Sequence, residues 1–178
     1  MSPGEMVAAL RRALLLVLLL TGTLALSGGP GVLGTDTRVR YALPARRPDA
    51  RANVVLEQRM IDLVNLERTL AGVRPLLPDP ALRESARAHG REMFTFGYLS
   101  HYSLDGRSVR DRLAAAGVRV TLVGENLAYA TDVLAAHQAL MASPAHRRNI
   151  LSPVWRVIGV GVLDGGEDGV VVVQAFAR

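Results

Sequence analysis

Two β-rich runs close the chain, Val157 to Leu163 and Val170 to Ala177, and the acidic, glycine-rich stretch Asp164 to Gly169 joins them. Two such runs with a short glycine-bearing connection read as an antiparallel hairpin. Helical patterns precede it. Val55 to Leu70 places Ile61, Val64 and Arg68 on one face, and Gly72 follows as a stop. Asp79-Pro80 reads as an N-cap and first-turn pair, opening a helix whose stripe is Leu82, Ala86, His89 and Met93 and which runs out near Gly97. Ser108 to Asp111 is a capping box before a third helix that Gly117 ends. Val118 to Val123 alternates and is expected as a strand. Thr131 to Ala142 is a fourth helix, and Ser143-Pro144 restarts a short helical turn. Helices flanking a small antiparallel sheet imply a layered α+β domain.

With 178 residues, the chain is long enough for one domain with its own core. It has no cysteine, which excludes disulfides and thiolate metal sites. The formal net charge of +5 suggests nucleic acid until it is divided along the chain. Residues 54 to 178 hold 14 arginines against 13 acids, so that part carries only +1. A nearly neutral domain has no phosphate-binding stripe, so nucleic acid is not an expected partner.

Residues 1 to 29 read as an export signal. Arg11-Arg12 precedes the apolar run Ala13 to Leu26, and Ser27, Gly28 and Gly29 follow. The run has 14 residues, short for a membrane span, which needs about 20. Cleavage after it, or retention as an anchor, are the two outcomes; after cleavage no stable span is expected. Residues 30 to 53 carry Pro44, Pro48 and five arginines without apolar periodicity, and read as a basic, extended, solvated linker. The domain is expected over residues 54 to 178. Trp155, the only tryptophan, lies between Pro153 and the strand near Val157 and is expected to pack on the sheet or an adjacent helix.

His101, Glu125 and His146 each read as turn or element-end residues, where a scaffold usually places working groups. Two imidazoles and a carboxylate form a possible zinc set with an open position, although spacings of 24 and 21 match no standard ligand motif. The other reading is three separate polar residues. His89 and His137 lie on apolar stripes and read as hydrogen-bonded core histidines.

An ordered series of motifs then stands out. Leu63-Val64-Asn65-Leu66-Glu67-Arg68 comes first, followed by Phe96-Gly97-Tyr98-Leu99-Ser100-His101 and Asp105-Gly106-Arg107-Ser108. Gly124-Glu125-Asn126-Leu127-Ala128 and Ser143-Pro144-Ala145-His146-Arg147-Arg148-Asn149-Ile150-Leu151 come next, before Ile158-Gly159-Val160-Gly161-Val162 and Gln174-Ala175-Phe176. Together they resemble the CAP (SCP-like) domain in its short, cysteine-free bacterial form. The resemblance implies a three-layer α-β-α sandwich with a central groove. In larger members two histidines and two glutamates line that groove and can hold a divalent metal. His101 and Glu125 match in their flanking residues. The second glutamate's place falls near Ser143, and the late histidine is missing from the run Val171 to Gln174, so His146 is a candidate for the vacancy. Asn65 and Arg68 match the first-helix motif and are expected in the groove with His101, Glu125 and His146, where their role is to tie that helix to the loops, with the arginine fork on carbonyls or carboxylates.

The expected location is secreted, extracellular or envelope, and the expected partner an unknown ligand there. Three functions follow: a binding module with a polar groove that takes a metal (zinc) or small ligand, a metal-dependent hydrolase with Glu125 as base, or a lipid binder. A fold by itself does not choose among them.

Overall fold

The computed structural model describes residues 18–21 and 40–178, so most of the export leader and residues 30–39 of the linker lie outside the described residues. The elements are β1 (Leu18–Thr21), β2 (Tyr41–Ala42), β3 (Arg51–Ala52), α1 (Val54–Leu70), β4 (Leu77–Pro78), α2 (Pro80–Phe96) and β5 (Tyr98–Leu99). They continue with α3 (Val109–Ala115), β6 (Val123–Ala130), α4 (Val133–Ala142), α5 (Pro144–Leu151), β7 (Val157–Asp164), a 3-10 turn at Gly166–Asp168, and β8 (Val170–Ala177). No described helix is long and apolar enough to cross a membrane.

The closing hairpin forms as expected, β7 pairing β8 from Val157↔Ala177 to Asp164↔Val170. The sheet order is β1-β6-β8-β7-β3, and β4 joins the free edge of β7 in parallel. Helices cover both faces, which makes an α-β-α sandwich. On one face Met60, Ile61 and Val64 of α1, Val133, Ala136 and Leu140 of α4 and Ile150 of α5 pack against Ile158, Val160, Val162, Val172 and Phe176. On the other, Ala86, Met93 and Phe94 of α2 meet Leu127, Tyr129, Leu163, Val171 and Val173.

Glycine sets how closely α2 lies on that second face. A Cβ at Gly159 would stand 2.3 Å from the backbone N of Arg83, and one at Gly161 2.6 Å from that of Arg87. The alternation Ile158-Gly159-Val160-Gly161-Val162 therefore presents valine and isoleucine to one helical layer and bare backbone to the other. Local signals agree with this packing. Asp79 accepts from Leu82 N at 2.8 Å, and Gly97 ends α2 in the left-handed region, φ 72°. Ser108 and Asp111 form the reciprocal capping box. Trp155 is buried, stacks on Phe176 at 6.1 Å, and donates Nε1–H to Asn149 O at 3.0 Å.

Three expectations change. The strand is not Val118 to Val123 but β6, which begins at Val123 and carries Glu125 within it. Gly124 in this strand marks a close approach: a Cβ there would meet the Trp155 ring at 2.8 Å. Second, residues 40 to 53 are not a solvated linker. Leu43 and Ala50 are buried, β2 pairs β5 and β3 pairs β7. The arginines there bind the domain: Arg40 donates to Ser103 O at 3.0 Å and lies over the Tyr98 ring, and Arg47 bonds Gly165 O and Asp168. Absent apolar periodicity missed these contacts because two-residue strands and guanidinium–carbonyl bonds leave no periodic signal. Third, Ser143 does not cap α5 through its side chain; its Oγ lies 2.8 Å from His146 Nδ1.

Candidate functional site

Neighbouring residues of a strand point to opposite faces of its sheet. On β6 this rule separates Glu125 from Asn126. Glu125 sits opposite Ala175, on the α2 and α3 side, and Asn126 opposite Gln174, on the side of α1 and α5.

On the first side the chemistry is ionic. Glu125 is 4% exposed. Its Oε1 accepts from Arg112 Nη2 and its Oε2 from His101 Nδ1 at 2.8 Å. Arg112, also buried, donates Nη1–H to the carbonyls of His101 (3.0 Å) and Arg107 (3.1 Å), so one guanidinium fixes both the carboxylate and the loop that carries the histidine. Burial pushes the Glu125 carboxyl up, but the Arg112 charge and the His101 hydrogen bond outweigh it and hold it down at about 2. The carboxylate is ionised at any ordinary pH, so Nδ1 of His101 must be the donor.

His89 supports this loop from α2. It is buried, and its Nε2 lies 2.8 Å from Ser100 O, with Ser103 Oγ at 3.5 Å and Glu92 Oε2 at 3.8 Å on the Nδ1 side. Glu92 accepts from Leu104 N at 2.6 Å; the neighbouring His89, opposed by burial, holds its carboxyl at about 2. The expected core role of His89 fits this geometry. His137 is likewise buried, 3.7 Å from Glu67 Oε1, and burial lowers its pKa.

On the second side the network is neutral. Asn126 Nδ2 donates to His146 O (3.2 Å) and Gln174 Oε1 (3.0 Å), and its Oδ1 accepts from Asn149 Nδ2 at 2.9 Å. Gln174 Nε2 reaches Met60 Sδ at 3.1 Å. Asn126, Gln174 and His146 are all buried.

Of the sequence candidates, then, His101 and Glu125 come together, with Arg112 as an added member. His146 stands on α5 with Ser143 and the amide network, and is a buried helix residue. Among the described residues no group of three or more His, Asp or Glu is arranged to hold a metal. The donor set explains why: both oxygens of Glu125 are engaged, one by a guanidinium that a cation would have to approach. Asn65 and Arg68 bond elsewhere. Asn65 brackets the backbone of Leu76, donating to its O (3.0 Å) and accepting from its N (2.8 Å). Arg68, 1% exposed, donates to the carbonyls of Arg74, Ile150 and Ser152, capping the end of α5. These bonds tie α1 to its loops.

Sequence reasoning missed Arg112 and Gln174. Arg112 shares the inward side of α3 with Leu113, and an arginine on a buried face calls for a buried carboxylate. Gln174 interrupts a valine run and needs an amide partner for the same reason.

The profile of the cysteine-rich secretory protein family, CAP, matches residues 61–176, which span both faces of this arrangement. The chain belongs to the CAP family. It is 35% identical over 114 residues to the uncharacterized protein YkwD of Bacillus subtilis, covering 62% of this chain and 43% of YkwD. It is also 35% identical over 107 residues to the uncharacterized membrane protein YlbC of the same organism, covering 60% of this chain and 31% of YlbC. It therefore spans less than half the length of these relatives. An extracellular protein of Bacillus anthracis containing an SCP domain superposes with a TM-score of 0.65 at 32% identity, over 70% of this chain and 40% of that one. An outer surface protein of Borrelia burgdorferi gives 0.67 at 17% identity, over 72% of this chain and 98% of that one, and shares the CAP fold alone.

Proposed function

We propose that this chain is an exported CAP-type binding module that recognises a polar extracellular or envelope ligand at the His101 end of the Arg112–Glu125–His101 cluster. The observation that carries the reading is the commitment of both Glu125 oxygens. A general base works best with a pKa near the working pH, and a carboxyl held at about 2 is far below that. A metal ligand needs an oxygen to offer, and here each oxygen already accepts from a cationic or N–H donor. What the cluster supplies is an imidazole of fixed orientation. His101 keeps 15% of its side-chain surface exposed against 3% for Glu125, so the ligand meets the histidine. The basic–apolar–small order of residues 1 to 29 supports export, as do the extracellular and outer-surface descriptions of two proteins that share the fold.

The test is cosedimentation of the leader-free protein with purified peptidoglycan and with wall polysaccharide, beside a zinc titration and a protease and esterase panel. The expected result is binding that His101→Ala weakens about tenfold or more with circular dichroism unchanged. Turnover by the wild type that Glu125→Gln abolishes, or one zinc per chain lost in both His101→Ala and His146→Ala, would replace this reading with the hydrolase one.

A further inference from the structure

The two edges of the sheet are built differently. The β7 edge is blunted by two-residue strands, β3 (Arg51–Ala52) and β4 (Leu77–Pro78), one of which brings a proline. Short edge strands and proline are the usual guards against unwanted pairing. Strand β6 at the other edge is eight residues long and holds neither proline nor a cationic side chain. In the structure its outer edge is covered by β1, antiparallel, with Leu18↔Tyr129, Leu19↔Ala128, Leu20↔Leu127 and Thr21↔Asn126 in register.

The direction of each main-chain group on β6 follows from its start. Leu122 and Arg178 exchange both backbone hydrogen bonds, 3.1 and 3.2 Å, and are therefore a hydrogen-bonded pair. Such pairs alternate, so Gly124, Asn126, Ala128 and Ala130 turn their N–H and C=O toward β8, and Val123, Glu125, Leu127 and Tyr129 turn theirs outward. The outward carbonyl of Glu125 accepts from Asn149 Nδ2 at 3.4 Å. Leu127 and Tyr129 face Leu20 and Leu18. The covering strand lies within the run read as the apolar part of the export leader, so its removal strips the partner from these two residues.

We propose that the outer edge of β6 is a peptide-docking site, occupied by Leu18–Thr21 in the uncleaved chain and, once the leader is gone, by an extended segment of another polypeptide that adds a strand at Leu127 and Tyr129. The occupant is a peptide backbone because the structure seats one there in defined register. In this frame Thr21 stands opposite Asn126, the residue next to Glu125 of the Arg112–Glu125–His101 cluster. The site is separate from the polar recognition proposed above and does not depend on it.

Hydrogen exchange by NMR tests this on the chain beginning at residue 30, using a peptide of residues 15 to 23 with lysine tails for solubility. Without peptide, the Leu127 and Tyr129 amides exchange fast while those of Asn126 and Ala128 stay protected by β8. Adding peptide slows Leu127 and Tyr129. N-methylation of the peptide at Leu18 and Leu20 weakens binding about tenfold or more, and at Leu19 and Thr21 leaves it unchanged. Should the shortened chain lose protection along β8, the full chain carrying Leu20→Pro serves instead, since proline removes a ladder donor. No slowing at saturating peptide, or equal effects of the two methylation patterns, overturns the proposal. So does protection of Leu127 and Tyr129 that rises with protein concentration alone, which would mean that a second copy occupies the edge.

Discussion

Glu125 and Asn126 are consecutive residues in one strand, both almost fully buried, and their surroundings could hardly differ more. Glu125 enters an ionic cluster in which Arg112 neutralises it and His101 carries the chemistry toward solvent. Asn126 enters a set of uncharged amides that joins β6, β8, α1 and α5. Burying a charge is costly and breaking its pair more so, whereas an amide left unpaired costs only its own desolvation. One side of the sheet therefore holds an ionic site, and the other a clasp made mainly of uncharged amides.

The comparison breaks most sharply at Arg112. Arg112→Ala leaves Glu125 buried without its cation and is expected to cost about 3 to 5 kcal/mol in urea denaturation. A loss near that of an ordinary surface change would mean that the pair is solvated in solution. Acid gives the next largest effect. A carboxyl held at about 2 instead of its unperturbed value of 4.5 stabilises the fold above pH 4.5, and that contribution, about 3 kcal/mol, disappears as pH falls from 4.5 toward 2. Glu92, also held at about 2, adds to the same limb, so the measurement is the difference between wild type and Glu125→Gln across that range. Asn126→Ala should cost about 1 to 3 kcal/mol in the same denaturation experiment, because it removes an amide that joins Asn149, Gln174 and the carbonyl of His146. Ser143→Ala is the smallest change expected, about 1 kcal/mol or less, since it removes one bond from His146 Nδ1.

Much of the fold was legible in the sequence. Asp79-Pro80, the Ser108 capping box and Gly97 mark helix ends by local hydrogen bonding that no tertiary contact needs to supply, and each stands where expected. The closing hairpin was equally plain. Residues 40 to 53 were not, because Arg40 and Arg47 look like a charged tether until their carbonyl and ring partners, more than 50 positions away, are in place. The site divides in the same manner. His101 and Glu125 were found by their flanking motifs. Arg112 and Gln174 were passed over, since helix and strand periodicity record which residues face inward but not what a polar one will meet there. His146 was grouped with His101 and Glu125 by its turn position and its motif; its Nδ1 lies against Ser143 Oγ and its backbone carbonyl accepts from Asn126.

The central claim is that Glu125 is a buried, permanently charged residue pinned by Arg112 and His101. Its side-chain carboxyl carbon can be followed directly by carbon-detected NMR from pH 7 downward. The account predicts that this resonance does not move before pH 3 or below, with a midpoint near 2. A midpoint for Glu125 at or above 4.5 would contradict it, and would return the residue to candidacy as a base or a metal ligand.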